Sequence, residues 1–184
     1  MPRAVALLRA INVGGRFVKM EKLRALATGA GLANVSTYIQ SGNLLFDCRA
    51  REAPRMEAQL EALWKQELGW DIPTLVRTQK QIAELFEEGG GLEHGLKGKD
   101  VRHYASFLRD EPAREAIDTL HEWSYAKERL LVRGRELHFW CTIPSHEAKF
   151  SNAKLEKALK FHATTRDWKT VAALQGLFSS SAPA

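Results

Sequence analysis

Only two cysteines, Cys48 and Cys141, occur in the 184 residues. They lie far apart and in no metal-ligand spacing, whereas a small secreted domain that leans on disulfides carries more. We read both as free thiols that pack as small apolar residues. No apolar run approaches the ~20 residues of a membrane-spanning helix, so no membrane partner is expected. Met1-Pro2-Arg3 leads straight into a short apolar strand, without the apolar core or cleavage site of an export signal. The expected location is cytoplasmic. Catalytic and metal signatures are missing as well. The histidines His94, His103, His121, His138, His146 and His162 make neither H-E-x-x-H nor H-x-E with C-x-x-C, and no G-x-S-x-G elbow is present. No acid–base pair follows from spacing. Catalytic residues therefore stay unassigned, and no metal or cofactor is expected.

What is present is an ordinary globular composition, 45% apolar and 27% charged, which excludes disordered and fibrous classes. The 27 basic and 22 acidic residues leave a net charge of +5, a weak bias towards anionic partners. The basic residues cluster: Lys97, Lys99 and Arg102 in the middle, then Lys149, Lys154, Lys157, Lys160, Arg166 and Lys169 near the end.

Periodicity divides the chain into two halves of similar order. In the first, 4–10 reads as a buried strand, 20–30 as a helix, 35–40 and 43–47 as a hairpin, 54–68 as a helix and 73–77 as a strand. Met56, Leu60, Leu63, Trp64 and Leu68 form the clearest helical stripe. Thr78 and Gln81 make a capping box for a helix running to about Glu87. The glycine-rich stretch 88–99 then reads as a flexible connector. In the second half, 102–108 is a strand and Asp110 caps a helix. Segments 125–132 and 136–143 pair around Arg133-Gly134-Arg135, Ser151 caps a helix over 152–161, and Thr165 or Asp167 caps a last helix over 168–178. The expected fold is α+β: two ferredoxin-like (βαββα-type) subdomains, antiparallel sheets with helices on one face. The expected boundaries are residues 1–88, a linker at 89–100, and 101–184 with an extra C-terminal helix.

Four clusters carry chemistry, each with a plainer reading beside it. Arg9-Ala10-Ile11-Asn12-Val13-Gly14-Gly15 ends a strand before a helix. Its glycines would bring backbone N–H groups to an anion and Arg9 would add a guanidinium, or the stretch is a tight turn in which Asn12 bonds its own backbone. Gln40-Ser41-Gly42-Asn43 is a set of amides and a hydroxyl at a sheet end, or simply a hairpin turn. Ser151-Asn152 and Thr164-Thr165-Arg166-Asp167-Trp168 collect donors at two helix starts, as an anion site or as caps. His138 and Trp140 share a strand face that would stack a nucleobase beside Arg102 or Tyr104, or would be core.

The segments 6–15, Leu23-Arg24-Ala25-Leu26 and 37–43, with Lys149-Phe150-Ser151-Asn152 and 163–171, resemble the bacterial family catalogued as domain of unknown function 1697. The resemblance implies a pair of ferredoxin-like subdomains and no activity. It also marks where this chain departs from the family's habit, with Ala10 in place of Gly and Asp167 and Lys169 in place of Asn. The combined expectation is a binding module for a small anionic or nucleotide-like ligand at the junction of the halves. The site residues would be Arg9, Asn12, Gly14, Gly15, Gln40, Ser41, Asn43, Ser151, Asn152, Arg166 and Trp168. The alternatives are a salt-dependent nucleic-acid-binding domain that uses the C-terminal lysines, or an enzyme acting on a phosphorylated small molecule.

Overall fold

The structure, a computed structural model, describes residues 1–12, 15, 17–98, 100–123 and 125–179. It divides into two compact units, Met1–Ala83 with Leu174–Ala184, and Glu84–Ala173. The first holds β1 (Arg3–Leu8), α1 (Met20–Gly29), β2 (Ser36–Tyr38), β3 (Asn43–Asp47), a 3-10 turn (Ala50–Glu52), α2 (Ala53–Leu68) and β4 (Thr74–Thr78). The helix α3 (Gln79–Gly90) carries the chain onward. The second unit holds β5 (Arg102–Leu108), α4 (Arg114–Glu122), β6 (Glu128–Arg133), β7 (Glu136–Cys141), α5 (Asn152–Leu159) and β8 (Ala163–Asp167), after which α6 (Trp168–Ser179) begins. The sheets run β2-β3-β1-β4 and β6-β7-β5-β8, every pairing antiparallel. Each unit is a ferredoxin-like βαββαβ arrangement.

In the first unit the helical stripe of α2 packs on one sheet face. Leu60 and Trp64 join Met20, Leu23 and Ala27 of α1 over Ala4, Ala6, Leu44, Phe46 and Val76. Trp64 is fully buried, and its indole N–H donates to Thr74 Oγ1 at 3.1 Å, as a buried indole requires. In the second unit Leu120 of α4 and Leu155 and Leu159 of α5 cover Leu137, Phe139 and Cys141. Cys48 and Cys141 are free and buried, and burial pushes both thiols above their ordinary pKa, which leaves little reactive thiolate at neutral pH.

The outer strands β4 and β8 each pair on one side only, and an open edge of N–H groups templates unwanted pairing. Helix side chains close both. Glu61 Oε1 accepts Thr74 N at 2.8 Å and Glu57 Oε1 accepts Val76 N at 2.9 Å. On β8, Glu156 Oε1 accepts Ala163 N at 2.9 Å, and Asn152 donates to Ala163 O at 2.8 Å while accepting from Thr165 Oγ1 at 3.1 Å.

Three expectations change. The polar run Ala163–Asp167 is the eighth strand, so Thr164 and Thr165 do not open a helix; paired to β5, the β-branched threonines suit extended backbone. Asp110 does not cap α4, which starts at Arg114 behind Ala113 in extended conformation. Pro112 disfavours helical backbone at Glu111 and keeps the start downstream. Gly89 and Gly90 belong to α3 rather than to the connector. The capping box of Thr78 and Gln81 forms in both directions, at 2.9 and 3.2 Å, and Ser151 caps α5 through Lys154 N.

Candidate functional site

Without β8 a cleft of the second unit stays hidden in the sequence. Pairing places Tyr104 between Phe139 of β7 and Asp167 of β8. The turn at Ser145 and the start of α5 lie against this row. Together Tyr104, Phe139, Ser145, Phe150, Ser151, Asn152, Thr165 and Asp167 line a cleft of about 290 Å³. Its wall is aromatic: Phe139 and Phe150 stack at 4.4 Å between centroids, and Tyr104 lies 5.8 Å from Phe139. Asn152 clasps β8 through one amide N–H and its carbonyl oxygen, and Ser151 Oγ is used as a cap. Asp167 Oδ1 accepts Lys169 N at 2.7 Å, capping α6. Among the described residues, the second Asp167 oxygen and the hydroxyls of Tyr104 and Ser145 have no protein partner.

Two larger depressions lie in the first unit, about 480 and 410 Å³, along α2. Both carboxylates of the larger one are already paired. Asp47 accepts from Asn34 at 2.6 Å, and Glu52 accepts from Arg49 N at 3.0 Å. The smaller is lined mainly by Leu32, Met56, Leu60 and Leu63. Neither has an aromatic wall of the kind formed by Tyr104, Phe139 and Phe150.

The opposite face of the second sheet carries a column of rings. Trp168 stacks on His103 at 4.0 Å and His103 on Trp140 at 4.5 Å, with Phe86 beyond Trp168 and His94 beyond Trp140. His103 Nε2 and His138 Nδ1 share a hydrogen bond at 3.0 Å. Burial, then the neighbouring His138 and His94, pushes the His103 pKa down to about 3; burial, then Arg133, pushes His138 down to about 4. A side chain at Gly89 would collide with the Trp168 ring and lie 2.8 Å from His138 Cε1. His138 and Trp140 are therefore covered by the chain's own rings. The neighbour that shares their face is His103, not Arg102 or Tyr104, whose side chains alternate to the other side.

The expected residues sort accordingly. Ser151 and Asn152 do meet Thr165 and Asp167 in the cleft. Arg166 and Trp168 do not: Arg166 points to the opposite face with Ala105 and His138, buried, donating to Thr164 Oγ1 at 2.8 Å and Thr165 O at 2.9 Å. Burial pulls its pKa down to about 10. In the first unit Asn12 binds two loops, donating to Gln40 O at 2.7 Å and accepting Val18 N at 2.8 Å. Asn43 is buried and donates to Tyr38 O and Ser41 Oγ. Gly42, at φ +75°, admits Leu8 and Ile11 where a Cβ would lie 2.9 Å from Leu8 Cβ. Arg9 is half-buried, with its N–H on Pro73 O at 2.8 Å, and Gly15 is exposed. Gly14 lies outside the described residues. Ala10, Asn12 and Ile39 all hold positive φ in these two adjoining loops. The alternation of Tyr104 and Phe139 was the signal for the cleft, readable only once a strand at 163–167 is recognised.

Residues 1–138 match the family described as "Protein of unknown function (DUF1697)". The chain belongs to this family. The matched span ends within β7, so the family-like stretch from Lys149 onward lies beyond it. No curated protein matches the chain. Among solved structures it is similar to "conserved bacterial protein SP0830 from Streptococcus pneumoniae", at 25% identity and a TM-score of 0.68 over 96% of this chain and 98% of that one. Among the described residues no helix is long and apolar enough to cross a membrane, and no group of three or more His, Cys, Asp or Glu is placed to hold a metal ion.

Proposed function

We propose that this member of the family binds a small molecule with a flat apolar face and a polar rim in the Tyr104–Asp167 cleft of its second unit. The supporting observation is the combination of an aromatic wall with three polar ends that no protein group occupies, the usual make-up of a ligand site. An anion is the expectation from Arg9 and Arg166. Arg166 faces away from this cleft, and the one charged side chain lining it is the Asp167 carboxylate, so the reading moves to neutral or cationic ligands. Stacking of a nucleobase on Trp140 is not part of it, because the chain's own rings cover that indole. Binding rather than turnover fits a cleft in which neither Asp167 nor Tyr104 is hydrogen-bonded to a histidine or lysine side chain. Two buried free thiols fit a reducing cytoplasm, which we propose as the location.

The test is a ligand-observed NMR and thermal-shift screen of the full chain with nucleosides, monosaccharides, small amines and small acids. A ligand at 100 times its Kd adds about 2.7 kcal/mol of stability. Ser145 is exposed in a turn, so Ser145→Trp fills the cleft without disturbing the core. Hits should vanish in that variant while its Tm holds. Hits that survive Ser145→Trp place binding elsewhere and sink the proposal, as does a screen without hits.

A further inference from the structure

We infer that the ligand of this cleft is a small organic ammonium ion, with Asp167 as its counter-charge and Tyr104, Phe139 and Phe150 as its wall. The inference rests on the cleft being a binding site, as proposed above.

Charge is the first reason. Asp167 is the one formally charged side chain among those lining the cleft. Two helix starts flank it, and each carries about half a positive charge in its free N–H groups. Both are already capped by side chains. Ser151 Oγ accepts Lys154 N at the start of α5, and Asp167 Oδ1 accepts Lys169 N at the start of α6. The second carboxylate oxygen remains. Two lysines near α5 are directed elsewhere: Lys154 Nζ donates to Lys149 O at 2.6 Å, and Lys149 Nζ sits over the Tyr125 ring at 4.2 Å. Neither competes for Asp167, and no guanidinium lines the cleft to hold a carboxylate or phosphate.

Donor count is the second reason. A primary ammonium carries three N–H donors and no acceptor. The cleft offers three oxygens without a protein partner, Asp167 Oδ2, Ser145 Oγ and Tyr104 Oη, among the described residues. A ligand carboxylate would meet Asp167 as a like charge and could use only the two hydroxyls.

The wall is the third. Ring faces carry the negative part of the aromatic quadrupole and attract cations, which is why ammonium sites are lined with aromatics. Phe139, Phe150 and Tyr104 form a continuous set of stacked rings beside the carboxylate. At about 290 Å³ the cleft is at the small end of ligand sites, which suits an arylalkylamine-sized molecule better than a nucleotide.

The experiment uses three near-isosteres, 2-phenylethylamine, 2-phenylethanol and 3-phenylpropionate. Dissociation constants are measured by ligand-observed NMR on the full chain, on Asp167→Asn and on Ser145→Trp. Asparagine caps a helix as well as aspartate does, so Asp167→Asn keeps the start of α6. The wild type should bind the amine about tenfold tighter than the alcohol, the size of a charge-assisted hydrogen bond, and the acid weakest. Asp167→Asn should bring amine and alcohol together without weakening the alcohol, and Ser145→Trp should abolish all three. Alcohol or acid binding that is lost in Ser145→Trp but no weaker than amine binding overturns the ammonium assignment and leaves the cleft standing as a site. An amine preference that persists in Asp167→Asn overturns it too. If none of the three binds at millimolar concentration the assignment fails, and the broader screen alone decides the cleft.

Discussion

The two units share a hydrogen-bond frame and differ in what hangs on it. Leu8 N donates to Gly42 O and Arg9 N to Pro73 O in the first; Leu108 N donates to Arg135 O and Arg109 N to His162 O in the second, all at 2.8 or 2.9 Å. The registers superpose. Val5 lies between Leu45 and Arg77, and Ala105 lies between His138 and Arg166. Arg77 and Arg166 are both buried at that shared place. Elsewhere the rows diverge. Where the first unit has Arg3 opposite Asp47, the second has His103 opposite Trp140; where the first has Ala4 between Phe46 and Thr78, the second has Tyr104 between Phe139 and Asp167. A backbone frame satisfied by main-chain bonds tolerates such exchange, because the ladder does not depend on the side chains it carries. The second unit has used that freedom on both faces, for rings on one and for the cleft on the other.

Several substitutions put this contrast at risk. The first unit leans on one fully enclosed indole, so Trp64→Ala should cost about 3–5 kcal/mol in urea unfolding. The second spreads its aromatic packing over a column, and Trp168→Ala should cost less than Trp64→Ala; equal losses would erase the difference. The column also constrains its neighbour. Gly89→Ala should destabilise by about 1–3 kcal/mol through overpacking. Gly90→Ala, next to it with open space around a Cβ, should be neutral or stabilising by up to about 1 kcal/mol. Matching effects at the two glycines would mean that the rings do not press on α3.

The histidines add a pH signature that the leucine at the matching place in the first unit lacks. Folded pKa values of about 3 and 4 lie below the ~6.5 of an unfolded histidine, so the unfolded chain binds more protons between them. Stability is fully present above about pH 6.5 and is lost as pH falls towards 3. His138→Leu, which copies Leu45, should make that fall shallower by about one proton in a pH series of urea midpoints; an unchanged slope would remove the histidine pair as its source. The smallest effect is in the first unit. Ile39 is exposed and β-branched at φ +48°, which costs a non-glycine residue about 1–2 kcal/mol. Ile39→Asn should recover about 1 kcal/mol, or roughly 2–4 °C in Tm for a chain of this size.

Local chemistry was legible in the sequence where it acts locally. The stripe on α2, the capping box at Thr78 and Gln81, the Ser151 cap and both hairpins needed only neighbouring residues. What stayed hidden depended on partners distant in the chain. Ala163–Asp167 is too polar to read as a strand until β5 is placed beside it, and without it nothing sets Tyr104 opposite Asp167. Arg166 looks like a ligand for anions beside Asp167, yet strand alternation sends the two side chains to opposite faces. The glycines at 89 and 90 look like a flexible connector, and only the Trp168 and His138 rings, from two other elements, explain why Gly89 sits in a helix.

The first unit is assembled from both ends of the chain, since Leu174 and Phe178 of α6, both fully buried, belong to it. On the ribosome this reverses the usual order of completion. Sheet β2-β3-β1-β4 emerges early but waits for α6 while the contiguous second unit, Glu84–Ala173, is made. At about 5–20 residues per second that wait lasts on the order of 5–20 s. The amino-terminal unit is begun first and finished last, so a chain released before Leu174 leaves its earliest-made half incomplete.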